Sequence, residues 1–537
     1  MLFRPAESSK KVVDFYRDYL LTTFKTNKDY YNKQLADQLS ENGVISNGPF
    51  ISMSDSFAKD KSIRTLVEEG YLCKSIIALE QLKTDRGLYK HQVEAICKVG
   101  IGNNMIITTG TGSGKTECFL IPVINQLMQE KEAGTLGPGV RTLLIYPMNA
   151  LVNDQIRRLR EIFVDYEDAD ITFGKFTGET EEKYDTARNA FVEREGVEPR
   201  KNELICRKQM RDTPPNILIT NYAMLEYMLL RPGDNIFFSE QYANKWRFIV
   251  LDEAHTYGGA KGIEVSTLLK RVEAMLNRND IQFILTSATL GNRKDNAKIV
   301  NFAQSLCNAK FGADSIVRSY TVSPGIPANI ARLDFLIYRT LAKQIRNNYP
   351  VGKTLQWLKE HDIPIETDRS LETSLEKTLY AMIQHDGFYY DVRRELLNKT
   401  LPLNTIAKKL NVQVDDFTDF IAVASNAQLN NDKIFEARYH MFIRGMEGVF
   451  VTLEPSNKLF VKKMETYREN VYEEDSEYKV FEISFCHNCG ALFIVGQTVD
   501  GQLTQKSKFS DDYEPEVYLL DGAVEDSDNE QINLRLI

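Results

Sequence analysis

The spacing of apolar positions changes character three times along the chain. Val12, Val13, Tyr16, Tyr19, Leu20 and Phe24 recur near the helical period after the cap candidates Ser8 and Ser9, which predicts a packing face in a helical N-terminal region over residues 1–85. Between 86 and 320, short runs (MIITT, TLLIYP, NILIT, RFIVL, QFILT) alternate with amphipathic stretches. Strands alternating with helices predict a parallel sheet with crossover helices, so the expected fold class is α/β, with its sheet in this stretch. Residues 321–450 read as a charged helical insertion, and 451–537 as an acidic β-rich region. There is no internal repeat and no long low-complexity tract.

Composition narrows the class. The 537 residues are 43% apolar and 26% charged, which excludes disorder as the dominant state. No apolar run approaches the roughly 18 residues of a spanning helix, and the start, MLFRPAESSKK, has no apolar h-region. A soluble, cytoplasmic protein with no membrane partner is expected. The net charge of −9 is uneven: residues 471–537 carry −11, leaving +2 for residues 1–470. A polyanion partner therefore remains open for the body of the chain, since local patches decide that contact. Seven scattered cysteines, an odd number, argue against a disulfide framework.

Two segments carry chemistry. After the strand Met105 to Thr108 comes Thr109-Gly110-Thr111-Gly112-Ser113-Gly114-Lys115-Thr116, then an apolar helical run. Glycines there let successive backbone N–H groups converge on phosphate oxygens at a helix N-terminus. Lys115 then reaches the β- and γ-phosphates of ATP, and Thr116 offers its hydroxyl to Mg²⁺. The strict pattern has Gly where Thr109 stands. A shorter string, Val351-Gly352-Lys353-Thr354, lacks the first glycine and the preceding strand, and reads as a surface turn.

Trp246 to Leu251 forms a second apolar strand ending in Asp252-Glu253-Ala254-His255. A carboxylate at a strand end beside the phosphate loop holds Mg²⁺, and its neighbour orients and deprotonates the attacking water. Phe283 to Leu285 leads into Thr286-Ser287-Ala288-Thr289, where the Ser287 and Thr289 hydroxyls are expected to bond His255 and link the γ-phosphate to domain motion.

In the order phosphate loop, DEAH, SAT, the chain resembles the superfamily 2 DEAD/DEAH-box helicases over residues 86–320. Leu88-Tyr89-Lys90-His91-Gln92 is similar to the Q-motif, which implies that Gln92 reads the adenine edge. Tyr146-Pro147-Met148-Asn149-Ala150-Leu151 with Gln155 resembles motif Ia. Thr177-Gly178-Glu179 and Ile219-Thr220-Asn221-Tyr222-Ala223-Met224-Leu225 resemble the Ib region. The resemblance implies that Pro147, Asn149, Gln155, Thr177, Gly178, Thr220 and Asn221 hold one strand by its sugar–phosphate backbone. Further segments, among them NGPFISMSDSF, TPPNILITNYAMLEYMLLRP and DEAHTYGGAKGIEVSTLLKRV, are similar to large bacterial helicases of the MrfA type. Relatives of those occur in anti-phage islands such as DISARM and Druantia. This implies single-stranded or tailed DNA as the track, 3′-to-5′ movement, and a role in DNA repair or antiviral defence.

Leu403 to Val412 followed by Asp415-Asp416-Phe417 has helix-turn-helix spacing. The second helix begins with acid where phosphate contacts need base, which favours a packing unit, winged-helix-like, over a recognition helix. Cys486-His487-Asn488-Cys489-Gly490 is half of a zinc ribbon. Two readings stand beside each other there: Zn²⁺ held by Cys486 and Cys489 with two further ligands, or a turn with two reduced thiols. No Gly-Arg dipeptide occurs in the sequence, whereas the second RecA-like domain of the resembled family carries one. After the SAT motif no second α/β series follows, so that lobe is expected from continuing chain or a partner. The expected function is ATP hydrolysis driving a DNA helicase or translocase, this chain being the first lobe, with Lys115, Asp252, Glu253 and His255 catalytic. The alternatives are a duplex translocase and a nucleotide-gated DNA-binding subunit that needs a partner for turnover.

Overall fold

The computed structural model describes residues 5–536 apart from 42, 111, 167, 289–292, 362–373, 430–431, 454–455, 472–473, 487–489, 500–501, 506–515 and 521–534. The chain divides into two compact units, one of residues 57–322 and one combining 1–56 with 323–537.

The 57–322 unit is built on an eight-stranded sheet. Its strands in chain order are β1 (Met105–Thr108), β2 (Thr142–Tyr146), β3 (Phe173–Lys175), β4 (Glu203–Leu204), β5 (Ile217–Asn221), β6 (Phe248–Leu251), β7 (Gln282–Ser287) and β8 (Ile316–Arg318). Across the sheet they run β8-β1-β7-β6-β2-β5-β3-β4, every pairing parallel. β1, β2 and β6 are buried at every position. That is why they read as unbroken apolar runs: a parallel sheet covered by helices on both faces has no solvent side.

Alternate strand residues feed two cores. Ile107, Leu144, Val250 and Ile284 face one core, with Ile96, Phe119 and Leu159 from the helices Lys90–Gly100, Lys115–Glu132 and Asn149–Ile162. Ile106, Leu143, Ile249 and Phe283 face the other, with Leu225, Leu268 and Ile299 from Tyr222–Leu230, Gly259–Leu276 and Asn296–Cys307. The unit starts well before residue 86 because Ile63, Leu66, Ile76 and Leu79 belong to the first core.

The N-terminal stretch is not helical through residue 85. Helices Pro5–Thr23 and Asp29–Ser40 are followed by a strand, Ser46–Ser54. Ile51 and Met53 are buried while Phe50 and Ser52 are half-buried, and that two-residue alternation is a strand pattern. The strand lies antiparallel between Thr400–Pro402 and Glu436–Ile443.

Residues 335–424 of this unit are mostly helical around Tyr338, Leu379, Phe388, Phe417 and Phe420. The helix-turn-helix candidate forms two helices, Leu403–Lys409 and Val414–Ala424. The acids of the second are engaged: Asp416 accepts two bonds from Arg339, one of them 2.9 Å, and Asp419 pairs with Arg346. It therefore packs through its charged face on Phe335–Arg346. The 351–354 string is a correction: it begins the helix Val351–Glu360, with Thr354 buried, and is no surface turn. The C-terminal strands form a second, antiparallel sheet that includes Val449–Thr452, Glu474–Phe485, Leu492–Val499 and Glu516–Leu519. The N-terminal helices pack on it through Leu20, Tyr31, Leu35 and Leu39, so the N-terminal region is part of a unit completed some 400 residues later. Among the described residues no helix is long and apolar enough to cross a membrane.

Candidate functional site

β1, β7 and β6 are neighbours. The loops leaving their carboxyl ends, residues 109–114, the SAT turn and the DEAH segment, therefore share one edge of the sheet, where ligands bind in open α/β folds. Gly112 (φ 77°) and Gly114 (φ 70°) take left-handed conformations, which turn successive N–H groups toward one point. Thr109 Oγ1 and Ser113 Oγ share a hydrogen bond of 2.6 Å, and Ser113 is buried, so the residue at the non-glycine position braces the loop. Nothing lies within 4 Å of a side chain placed at Gly110. Thr111 lies outside the described residues.

Lys115 and Thr116 open the helix Lys115–Glu132. Lys115 Nζ pairs with Glu253 Oε1 at 3.1 Å, joining the phosphate loop to the DEAH segment. Glu253 stands in the left-handed region (φ 46°, ψ 48°), a conformation that costs of order 1–3 kcal/mol for a residue with a side chain. Thr286 holds the turn by donating to the Asp252 carboxylate and accepting from the Glu253 N–H at 3.2 Å. Burial, then the Glu253 charge, push the Asp252 carboxyl above its ordinary range, against the Thr286 bond and Lys115, which pull it down. His255 Nδ1 lies 3.0 Å from Ser287 Oγ and 3.3 Å from Glu253 Oε2. The first is the Ser287–His255 contact expected from the sequence; Thr289 lies outside the described residues.

Gln92 is buried with both ends of its amide engaged. It accepts from the Tyr89 N–H at 2.8 Å and donates to the Gly114 carbonyl at 3.0 Å. His91, not singled out from the sequence, is wholly buried and bonds the Ser113 carbonyl through Nε2 at 2.8 Å. Desolvation lowers its pKa. Two buried phenols were also missed. Among the described residues the Tyr146 and Tyr257 hydroxyls have no hydrogen-bond partner, and burial and the Asp252 carboxylate both raise their pKa. Isolated hydroxyl-bearing residues at strand ends carry no sequence signal beyond their place beside a motif.

The proposed backbone-binding residues gather at the ends of β2, β3 and β5. Asn221 Nδ2 donates to Asn149 Oδ1 at 2.7 Å, and Asn149 Nδ2 donates to Glu179 Oε1 at 3.1 Å. Asn221 Oδ1 also caps the next helix at the Met224 N–H, 2.7 Å. Pro147 is half-buried, and the space around Gly178 is open. Thr177 and Thr220 are buried with their hydroxyls used internally, Thr177 accepting from the Glu179 N–H and Thr220 donating to the Phe176 carbonyl. They shape the turns. Gln155 is buried on its helix.

Residues 89–297 match the DEAD/DEAH box helicase family. The chain carries a DEAD/DEAH box helicase domain. Residues 460–534 match the YjiV N-terminal domain. The Druantia protein DruE of Escherichia coli is 28% identical over 76% of this chain and 28% of its own length. The uncharacterized ATP-dependent helicase MJ1574 of Methanocaldococcus jannaschii is 26% identical over 61% of this chain and 44% of its own length. A crystal structure of the DUF1998 helicase MrfA bound to DNA matches at TM-score 0.38 and 23% identity, over 61% of this chain and 43% of that one. The chain thus spans less than half the length of each.

Thr116 and Asp252 offer a helicase domain hard oxygen donors, the set Mg²⁺ prefers. For zinc, Cys489 lies outside the described residues. The Cys486 carbonyl accepts from the Gly490 N–H at 2.8 Å. Among the described residues no group of three or more His, Cys, Asp or Glu gathers as a metal site.

Proposed function

We propose that this chain is the ATP-binding lobe, with flanking units, of an ATP-dependent helicase or translocase acting on DNA. The observation that carries the reading is the Lys115–Glu253 pair, with the SAT turn and the Asn149–Asn221 cluster on strand ends of the same sheet. In this reading the phosphate loop and Lys115 take the β- and γ-phosphates, and Glu253 orients and deprotonates water. Thr116 and Asp252 would hold Mg²⁺, which neutralises charge on the transferring phosphoryl group. Gln92 senses adenine by sharing a hydrogen bond that its side-chain amide makes to the Tyr89 N–H or the Gly114 carbonyl, so base occupancy reaches the loop.

Nucleic acid runs over Pro147, Asn149, Gly178 and Asn221, held by its backbone and thus without base readout. Single-stranded or tailed DNA is the proposed track, on the resemblance of this chain's own segments to MrfA-type helicases. The similarity to a Druantia protein supports a setting in antiviral defence, and a cytoplasmic location is proposed with it. Zinc at Cys486 and Cys489 is proposed only with two additional ligands, and elemental analysis of the purified protein decides it.

A second reading is a nucleotide-gated DNA-binding subunit. It is favoured by the antiparallel character of both larger sheets in the other unit: among the described residues only the 57–322 unit carries a multi-stranded parallel sheet. A second lobe's arginine is worth about 10³–10⁵ in phosphoryl-transfer rate. Single-turnover hydrolysis by the isolated chain is therefore expected to be slow, and restored by a second RecA-like lobe. Strand displacement beside triplex displacement then separates a helicase from a duplex translocase. Robust DNA-stimulated turnover by a verified monomer of residues 1–537 would contradict the one-lobe reading.

A further inference from the structure

Between the Asn221 cluster and the DEAH segment lies a set of side chains that neither nucleotide chemistry nor backbone contact uses. Tyr222 is the first residue of the helix capped by Asn221. Its ring meets that of Tyr257 edge-to-face, the centroids 6.2 Å apart at 75°. Lys261 Nζ stands 4.5 Å from the Tyr222 centroid and 5.4 Å from that of Tyr257, one cation shared by two aromatic faces. Tyr257 is wholly buried five residues beyond Asp252, and its hydroxyl makes no hydrogen bond among the described residues. A buried hydroxyl left unpaired opposes folding, and the residue is tied to the DEAH turn by its backbone, the Tyr257 N–H donating to the Ala254 carbonyl at 3.0 Å and the Thr256 N–H to the Glu253 carbonyl at 2.9 Å.

The backbone behind Tyr257 leaves no slack. A Cβ on Gly262 would lie 2.6 Å from the Tyr257 carbonyl oxygen, so the helix Gly259–Leu276 seats directly on that residue. Close-packed contacts of this kind pass a displacement on and do not absorb it.

We infer that Tyr222, Lys261 and Tyr257 are positioning residues that couple nucleic-acid occupancy at Asn221 to the carboxylate of Asp252. The inference rests on the function proposed above and names the contacts through which its two sites communicate. The route is separate from the His255–Ser287 contact, which faces domain motion.

The test is thermodynamic linkage in the full 537-residue chain. A fluorescent non-hydrolysable ATP analogue is titrated with Mg²⁺, without and with saturating single-stranded oligothymidylate, and the ratio of the two dissociation constants is the coupling factor. Wild type is expected to show about 5-fold or more, the lower end of ordinary allosteric coupling. Lys261→Met keeps the stem and removes the cation, and Tyr222→Leu removes the ring; both should bring the factor near one while each ligand alone binds as in wild type. Lys261→Arg and Tyr222→Phe should retain the wild-type factor. A merely structural role would lower the melting temperature of the disruptive variants and leave the ratio alone. A wild-type factor in both Lys261→Met and Tyr222→Leu overturns the inference, as does a wild type that binds both ligands independently. A wild type that binds neither ligand overturns the proposed function, and the inference with it.

Discussion

Glu253 sets backbone stability against its proposed chemistry. It is held in the left-handed region and spends one carboxylate oxygen on Lys115, the ammonium proposed to face the nucleotide phosphates. Glu253→Gln removes that competitor, so Mg·ATP should bind several-fold more tightly while single-turnover hydrolysis stops for want of a base. Weaker binding by the variant would mean that the pair supports the loop rather than competing for it. His91 makes a second residue-scale prediction. Its Nε2–H serves the Ser113 carbonyl and its Nδ1 is buried without a partner among the described residues, so protonation finds no acceptor there for a second hydrogen bond. Its folded pKa lies below the ordinary 6.5. The unfolded chain then binds more protons, and stability falls as pH drops through 6.5 toward the lower folded value. Thermal melts from pH 7.5 to 5.5 should show that loss, reduced in His91→Gln; equal pH dependence in the variant would remove His91 as its source. Lys115, Asp252, Glu253 and Ser287 were legible in the sequence because contiguous motifs encode them. His91, Tyr146 and Tyr257 were not, because their importance comes from burial beside those motifs.

At the level of elements, long apolar runs made β1, β2, β5, β6 and β7 readable, whereas Ser46–Ser54 was missed. Its alternation spans few residues, and its partners, Thr400–Pro402 and Glu436–Ile443, lie hundreds of positions away. Without the first glycine and the preceding strand of a phosphate loop, the string at 351–354 reads as a surface turn, whereas Pro350 precedes the first turn of a helix that buries Thr354 and Leu358. The helix pair Leu403–Lys409 and Val414–Ala424 has the spacing of a nucleic-acid reader and the contacts of a packing unit. Asp416→Ala or Asp419→Ala should therefore cost about 1–3 kcal/mol of stability, as for hydrogen bonds to charged groups. Neither should tighten or weaken binding of single-stranded DNA beyond that expected from unfolding. A gain in DNA affinity with unchanged melting would restore the recognition-helix reading.

For the whole molecule, the sequence order of regions misleads about their assembly. The first helices pack on the C-terminal antiparallel sheet, and residues 57–85 join the α/β unit through Ile63, Leu66 and Ile76. Neither grouping is visible in local periodicity, because both depend on contacts between distant segments. The α/β unit itself was legible: its motifs sit at strand ends, and the parallel sheet brings three of those ends together at one edge. The central claim is that this edge is a nucleotide site built around Lys115. It is tested most directly by titrating a fluorescent non-hydrolysable ATP analogue, with Mg²⁺, into the wild-type chain and into Lys115→Ala at matched folding. Saturable binding by wild type that is abolished in Lys115→Ala is the predicted result; equal affinity in the two proteins would contradict it.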